Sequence, residues 1–170
     1  MKKNILLFIF LALAITGLSY FFIAKRAVST KGVHYHAGFI VFDNGKKVDF
    51  SDIKYMTIKP CKLKNSETDT SEDLQNEKAH LHDKVGDVVH VEAEGAKWGD
   101  LFSNIGYPID YSKATAYINH QKVDDIKDYP IKAYDSLVIF IGKVDTQLLD
   151  EAVTRDHILQ IEKTSEICGD

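Results

Sequence analysis

Histidine and carboxylate side chains are concentrated in residues 80–92, which read H-L-H-D-K-V-G-D-V-V-H-V-E. A second histidine pair, His34 and His36, lies more than forty positions earlier. Neutral imidazole nitrogens bind zinc, copper, nickel and iron, and a nearby carboxylate can bind the same ion or orient a histidine by hydrogen bonding. These residue types therefore predict the chemistry of a transition-metal site.

The His-x-His spacing suits a shared ligand role, because a β-strand sends residues i and i+2 to the same face. Both pairs lie in short segments that we predict to be strands. In residues 88–92 the same alternation places His90 and Glu92 on one face, with Val89 and Val91 on the other. One face of this segment is therefore predicted to be partly polar.

We predict that five of the seven histidines converge on one divalent metal ion, with an acidic residue as a ligand or as the hydrogen-bond partner of a ligand. The predicted site residues are His34, His36, His80, His82, His90 and Asp83. Glu92 is available for the same role as Asp83. Zinc and copper are the favoured ions, while nickel and iron also suit these ligands. The prediction requires the two histidine-rich segments to be neighbours in the fold.

Two other interpretations stay open. A histidine cluster held by hydrogen bonds to carboxylates would make the chain an interaction domain with a structural or pH-responsive role. A metalloenzyme would need an open coordination position and a nearby acid or base such as Asp83 or Glu92, and no H-E-x-x-H signature is present. We assign no catalytic residue and favour a metal-binding module. His120 is predicted to be a turn residue and His157 a surface or capping residue.

The N-terminus predicts a membrane anchor. Residues 5–24 carry no charge and follow a basic start at Lys2 and Lys3. This apolar run is long enough to span a bilayer core, and it exceeds the ~7 to 15 residues of a cleaved secretory signal. We therefore expect residues 1–26 to form an uncleaved single-pass anchor and residues 27–170 to form one domain outside the cytoplasm.

Charge and cysteine content narrow the classes further. The net charge is −4, and no cluster of lysine and arginine interleaves with aromatic residues, so we do not expect the protein to bind nucleic acid. Any protein partner is left open. Cys61 and Cys168 are predicted to form a disulfide if the domain lies in an oxidising compartment. Two free thiols, or Cys61 as a metal ligand, are the alternatives.

The strands and helices that we predict around these side chains indicate an α+β fold. It has a mainly antiparallel sheet, a short helix and a C-terminal helix. Asn44-Gly45 predicts a hairpin turn, and Asn119-His120 a second one. Gly106 is expected to end the short helix. Predicted strands cover residues 33–42, 47–50, 114–118 and 136–141. Predicted helices cover residues 97–105 and a final segment capped by Thr146, while residues 62–78 are predicted to be a surface loop.

These motifs together resemble a poorly characterised family of membrane-anchored proteins in bacteria and archaea. Its pattern is H-x-H, then C, then H-T-H-D-x-x-G-x-x-H-x-E, then L-G-x-F-F. Leu81 stands where the pattern has Thr, and Trp98 precedes Gly99 where Leu is common. Neither change removes a candidate ligand. The resemblance implies a small extracytoplasmic domain with a histidine site, and it implies no particular activity.

Overall fold

The computed structural model describes residues 33–57 and 71–165. The predicted anchor and both cysteines lie outside the described residues, so the anchor and the disulfide stay predictions. Among the described residues, none of the helices combines the length and the apolar character needed to cross a bilayer.

Six strands form one mixed sheet in the described part of the chain. Their order across the sheet is β2-β1-β6-β4-β5, and β3 pairs with β1 on the edge that β2 also uses. The β1 and β6 strands are parallel and the other pairs are antiparallel, which confirms a mainly antiparallel α+β fold. The strands are β1 (Tyr35–Asp43), β2 (Lys46–Lys47), β3 (Val88–Val91), β4 (Ala114–Ile118), β5 (Gln121–Val123) and β6 (Ser136–Ile141).

Both predicted hairpin turns are confirmed. Asn44 and Gly45 have positive φ angles of 48° and 82°, and Asp43 pairs with Lys46 across the turn. These angles fit a two-residue turn whose twist matches that of the flanking strands. Asn119 and His120 form the equivalent turn between β4 and β5.

The sheet is covered by apolar side chains on both faces. On the first face, Phe39 and Val41 of β1 pack with helix α2 (Trp98–Asn104). On the second face, Ile40 and Phe42 pack with Val153 and with Ile158 of helix α3 (Arg155–Ser165). The strand alternation therefore assigns even-numbered residues of β1, including His36, to the face that α3 covers in part.

The helix predictions are confirmed for α2 and corrected elsewhere. Helix α2 ends before Gly106, which has a positive φ of 65°. Thr146 does not cap the final helix: residues Thr146–Glu151 form a separate 3-10 helix, and α3 begins at Arg155. Thr154 accepts a hydrogen bond from the His157 backbone at 3.3 Å, so its hydroxyl satisfies a free amide at the helix start.

The predicted loop at residues 62–78 is wrong in its last part, because Ser71–Lys78 form helix α1. The prediction relied on the lack of apolar periodicity, but this segment is rich in helix-forming residue types. Acidic residue types open the segment and Lys78 closes it, a polarity that favours a helix by its dipole. Helix α1 matters for the site because it leads directly into His80.

Candidate metal centre

The backbone brings three histidines side by side across neighbouring segments. His36 of β1 lies opposite His90 of β3, and His90 forms a bridge with His80 on its other side. The strand alternation then adds His34 and His82 to the same face, each two positions along its own segment. The two histidine-rich segments are therefore joined through β3, which meets the requirement that the sequence left open.

The apolar residues between the histidines anchor these segments, because they pack into the core on the opposite face of the sheet. Ala37, Leu81, Val89 and Val91 are all buried in the first-face core. Their alternation with the histidines confirms the predicted placement of the valines of β3 on the face opposite His90. His80-Leu81-His82 differs from the prediction in one respect, since only a single bridge at His80 pairs it with β3.

A tight turn returns the chain from His82 to β3. Asp83 and Lys84 have positive φ angles of 56° and 59°, and the Val85 amide donates to the His82 carbonyl at 3.0 Å. Asp tolerates this left-handed conformation better than most residues. After the turn, a Cβ on Gly86 would lie 2.5 Å from the Ser51 nitrogen, so this position must be glycine for the chain to pass.

The five predicted histidines form two groups of three that could each hold a metal ion. His34, His36 and His90 make one group, and His80, His82 and His90 make the other. Within each group, one nitrogen from every ring lies within 4.8 Å of the others. His90 belongs to both groups. The structure brings the five predicted histidines together as two triads that share His90, and their binding of a single ion stays a prediction.

Hydrogen bonds fix the outer nitrogen of each ring in the second group. Nδ1 of His80 lies 3.0 Å from the Asn76 carbonyl in the last turn of α1, and Nδ1 of His82 lies 2.7 Å from the Asp83 carboxylate. Nε2 of His90 lies 3.3 Å from the Glu92 carboxylate. Carbonyl and carboxylate oxygens only accept hydrogen bonds, so these three ring nitrogens carry the hydrogens. The other nitrogen of each ring is left with a lone pair.

Two of those lone-pair nitrogens face each other. Nε2 of His82 and Nδ1 of His90 are 2.8 Å apart. With both outer nitrogens protonated, the facing nitrogens of neutral rings are both acceptors, so a cation could bind between them. That cation is either one extra proton or a metal ion. Binding of a metal ion would open the pair to roughly 3.3 Å, the spacing set by bonds of about 2.0 Å in tetrahedral geometry.

The environment disfavours an added proton. Burial lowers the pKa of His90, although the hydrogen bond from its ring to Glu92 opposes this effect. Burial also lowers the pKa of His80 to about 4 and that of His36 to about 3, and repulsion from His90 adds to both shifts. The residues His90, His80 and His36 are 7%, 9% and 1% exposed, respectively. The buried rings are therefore neutral near pH 7, which is the form that binds metal ions.

The carboxylates occupy positions behind the rings. Asp83, predicted as a ligand or as a partner of one, contacts the ring nitrogen of His82 that faces away from His90. Glu92 has the same relation to His90, and the hydrogen bond from His90 lowers the pKa of Glu92 to about 2. The sequence prediction named Asp83 as a site residue and left Glu92 as available. Asp83 makes the shorter contact, at 2.7 Å, whereas Glu92 contacts the more buried ring, at 3.3 Å.

The remaining histidines lie outside both triads, as predicted. His120 is exposed in the turn between β4 and β5. His157 is partly exposed on α3, and its Nε2 lies 3.2 Å from the Asp87 carboxylate. The Asn76 carbonyl was not foreseen, because the helix that presents it was predicted to be a loop.

No protein-family model, no curated protein and no solved structure matches this chain. The resemblance to the membrane-anchored family stays a prediction. We therefore infer function from the site itself.

Proposed function

We propose that this protein binds a divalent transition-metal ion through His80, His82 and His90. The ligand atoms are Nε2 of His80, Nε2 of His82 and Nδ1 of His90. Zinc and copper(II) suit three neutral imidazoles best among the candidate ions.

The observation that carries the proposal is the hydrogen bonding of the outer nitrogens. Metal-binding histidines commonly donate their second ring N–H to a carboxylate or a backbone carbonyl, which fixes the ring and makes the ligand nitrogen more basic. Here Asn76, Asp83 and Glu92 supply one such acceptor for each ring. The same hydrogen bonds leave the inner nitrogens of His82 and His90 turned toward each other, 2.8 Å apart, where one ion could bind both.

Three protein ligands leave a fourth position on a tetrahedral ion. His82 is half-buried and lies at the more accessible side of the triad, so a small ligand or water could reach that position. A metal-binding or metal-delivery module needs only this access. A metalloenzyme would need a free acid or base as well, and Asp83 and Glu92 are both engaged by histidine rings. We therefore favour the binding module.

We propose in addition that the domain is held at the outer surface of a cell membrane by residues 1–26. The support is the uncharged run at residues 5–24. A metal site in that position would meet ions that enter from outside the cytoplasm.

Metal analysis of the full chain, purified from detergent-solubilised membranes without an affinity tag, tests the binding proposal. We expect the wild type to contain stoichiometric zinc or copper after equilibrium dialysis. The triple variant His80→Ala, His82→Ala, His90→Ala should lose this bound metal. The matched control is the double variant His120→Ala, His157→Ala, which removes two histidines outside the triads and should retain the metal content of the wild type. Equal metal content in the wild type and the triple variant would reject the proposal.

A further inference from the structure

We propose that the cluster holds two metal ions, with the imidazole of His90 as a bridge between them. The second ion would bind His34, His36 and Nε2 of His90. This inference rests on the proposed function, because it takes the first ion at Nδ1 of His90 as given.

The position of His90 is the first reason for a bridge. Its ring centroid lies 4.5 Å from that of His34 and 4.6 Å from that of His36 on one side, and 5.0 Å from His80 and 4.6 Å from His82 on the other. Each pair of neighbours completes a triad with ligand atoms within 4.8 Å. A single ion at the His80–His82–His90 triad would leave the other triad, whose ligand atoms lie equally close together, without an ion.

The two nitrogens of His90 point to different partners, which is the second reason. Nδ1 faces His82 at 2.8 Å, and Nε2 faces the Glu92 carboxylate at 3.3 Å. The two nitrogens of this ring therefore face different neighbours, and we assign Nδ1 to the ion at His80 and His82 and Nε2 to the ion at His34 and His36. Two ions on opposite nitrogens of one ring would lie roughly 6 Å apart, given metal–nitrogen bonds of about 2.0 Å.

The Glu92 carboxylate supplies charge compensation for the second ion. This carboxylate lies 3.3 Å from Nε2 of His90, and the hydrogen bond from His90, with smaller effects of His80 and His34, lowers the pKa of Glu92. Its side chain is 48% exposed and can move with little loss of packing. When Nε2 of His90 binds the second ion, Glu92 loses its hydrogen bond and is free to approach that ion as an oxygen ligand.

The binding step balances by the release of one proton. The Nε2–H bond of His90 breaks, its proton passes to the buffer, and the nitrogen lone pair forms the bond to the second ion. His90 then carries one negative charge as an imidazolate, shared by the two cations. Binding of the second ion should therefore release one proton, the one that Nε2 of His90 carried.

Equilibrium dialysis of the full chain against zinc, followed by elemental analysis, tests the stoichiometry. We expect two ions per chain for the wild type, one for His34→Ala, His36→Ala, and two for the matched double variant His120→Ala, His157→Ala. A second measurement does not depend on any variant: with copper(II), the bridged pair should give an electron paramagnetic resonance signal weaker than that of two independent copper ions.

The outcomes separate this inference from the proposed function. One ion per chain in the wild type would overturn the bridge and leave the His80–His82–His90 site intact, whereas no bound ion would overturn both. Two ions in the His34→Ala, His36→Ala variant would place the second ion elsewhere and overturn the bridge. If circular dichroism shows that this variant is unfolded, the wild-type stoichiometry and the copper signal test the bridge. Two copper ions without magnetic coupling would count against an imidazolate bridge.

Discussion

His80 and His90 exchange both of their backbone hydrogen bonds, at 3.0 Å and 2.9 Å. This places two candidate ligands directly opposite each other on rigid backbone rather than on a free loop. The segment that carries His80 is also tied from the other side, since the Asn104 amide of α2 donates to the carbonyls of Gln75 and Ala79 at 2.9 Å and 2.8 Å. Much of the ordering cost of a metal site is therefore met by folding, and a preorganised site binds more tightly.

Removal of the outer carboxylate charge should weaken metal binding without removing a ligand. We expect Asp83→Asn and Glu92→Gln each to lower the affinity by roughly 10- to 100-fold, because the His82 and His90 rings lose a charged acceptor that makes them more basic. Competition with a chromogenic zinc chelator measures this change. Lys84→Asn is the matched control, since it alters the same turn but contacts no ring in the triads, and it should bind as the wild type does. Unchanged affinity in both carboxylate variants would argue against the assigned ring orientations.

Much of the sheet and the histidine cluster could be predicted because local rules apply to them. The Asn-Gly turn, the alternation of His90 with Val89 and Val91, and the continuous apolar strand β6 all follow from short-range sequence patterns. The five histidines were identified by spacing alone.

Contacts between distant residues could not be predicted in the same way. The pairing of His36 with His90 depends on which edge of β1 receives β3, and no local pattern contains that choice. The division into two triads depends on which neighbours each ring nitrogen of His90 faces. That orientation is set by the tertiary structure and is not contained in the local sequence. Helix α1 was missed because its helical signal is polar, with Lys78 at its end, and apolar periodicity does not detect such a helix.

Gly38 and Val153 should be energetically coupled, since a Cβ on Gly38 would lie 2.4 Å from the Val153 Cβ. We expect Gly38→Ala to lower the free energy of unfolding by about 1 to 3 kcal/mol through overpacking. The same substitution should cost less in a Val153→Ala background, where the clash is relieved. Urea denaturation of the four proteins in this cycle measures the coupling. Additive effects would show that the strand and the Val153 segment can separate without strain.

The N-terminal anchor has a direct test in the mass of the mature chain. Residues 5–24 form an uncharged run without a matching cleavage signal, so we expect the full chain of 170 residues to be recovered from membranes. Mass spectrometry of detergent-extracted protein measures this. A mature form that starts after residue 20 would remove the anchor, and protection of the domain from protease in spheroplasts would reverse its proposed orientation.

The stability of the metal-free domain should fall as the pH drops below about 6.5, the ordinary value for histidine. The pKa values of His36 and His80 are about 3 and about 4 in the folded chain, so between about pH 6.5 and pH 4 the unfolded chain binds protons that the folded chain does not. Each of these histidines then lowers the free energy of unfolding by about 1.4 kcal/mol per pH unit. Urea unfolding in the presence of a chelator, between about pH 7 and pH 5, measures the slope, and this window lies above the ordinary range of Glu92. His120→Ala should keep the slope of the wild type because this side chain is exposed, whereas His80→Gln should reduce it. A stability that is independent of pH across this window would mean that the buried rings take up protons as readily as exposed ones.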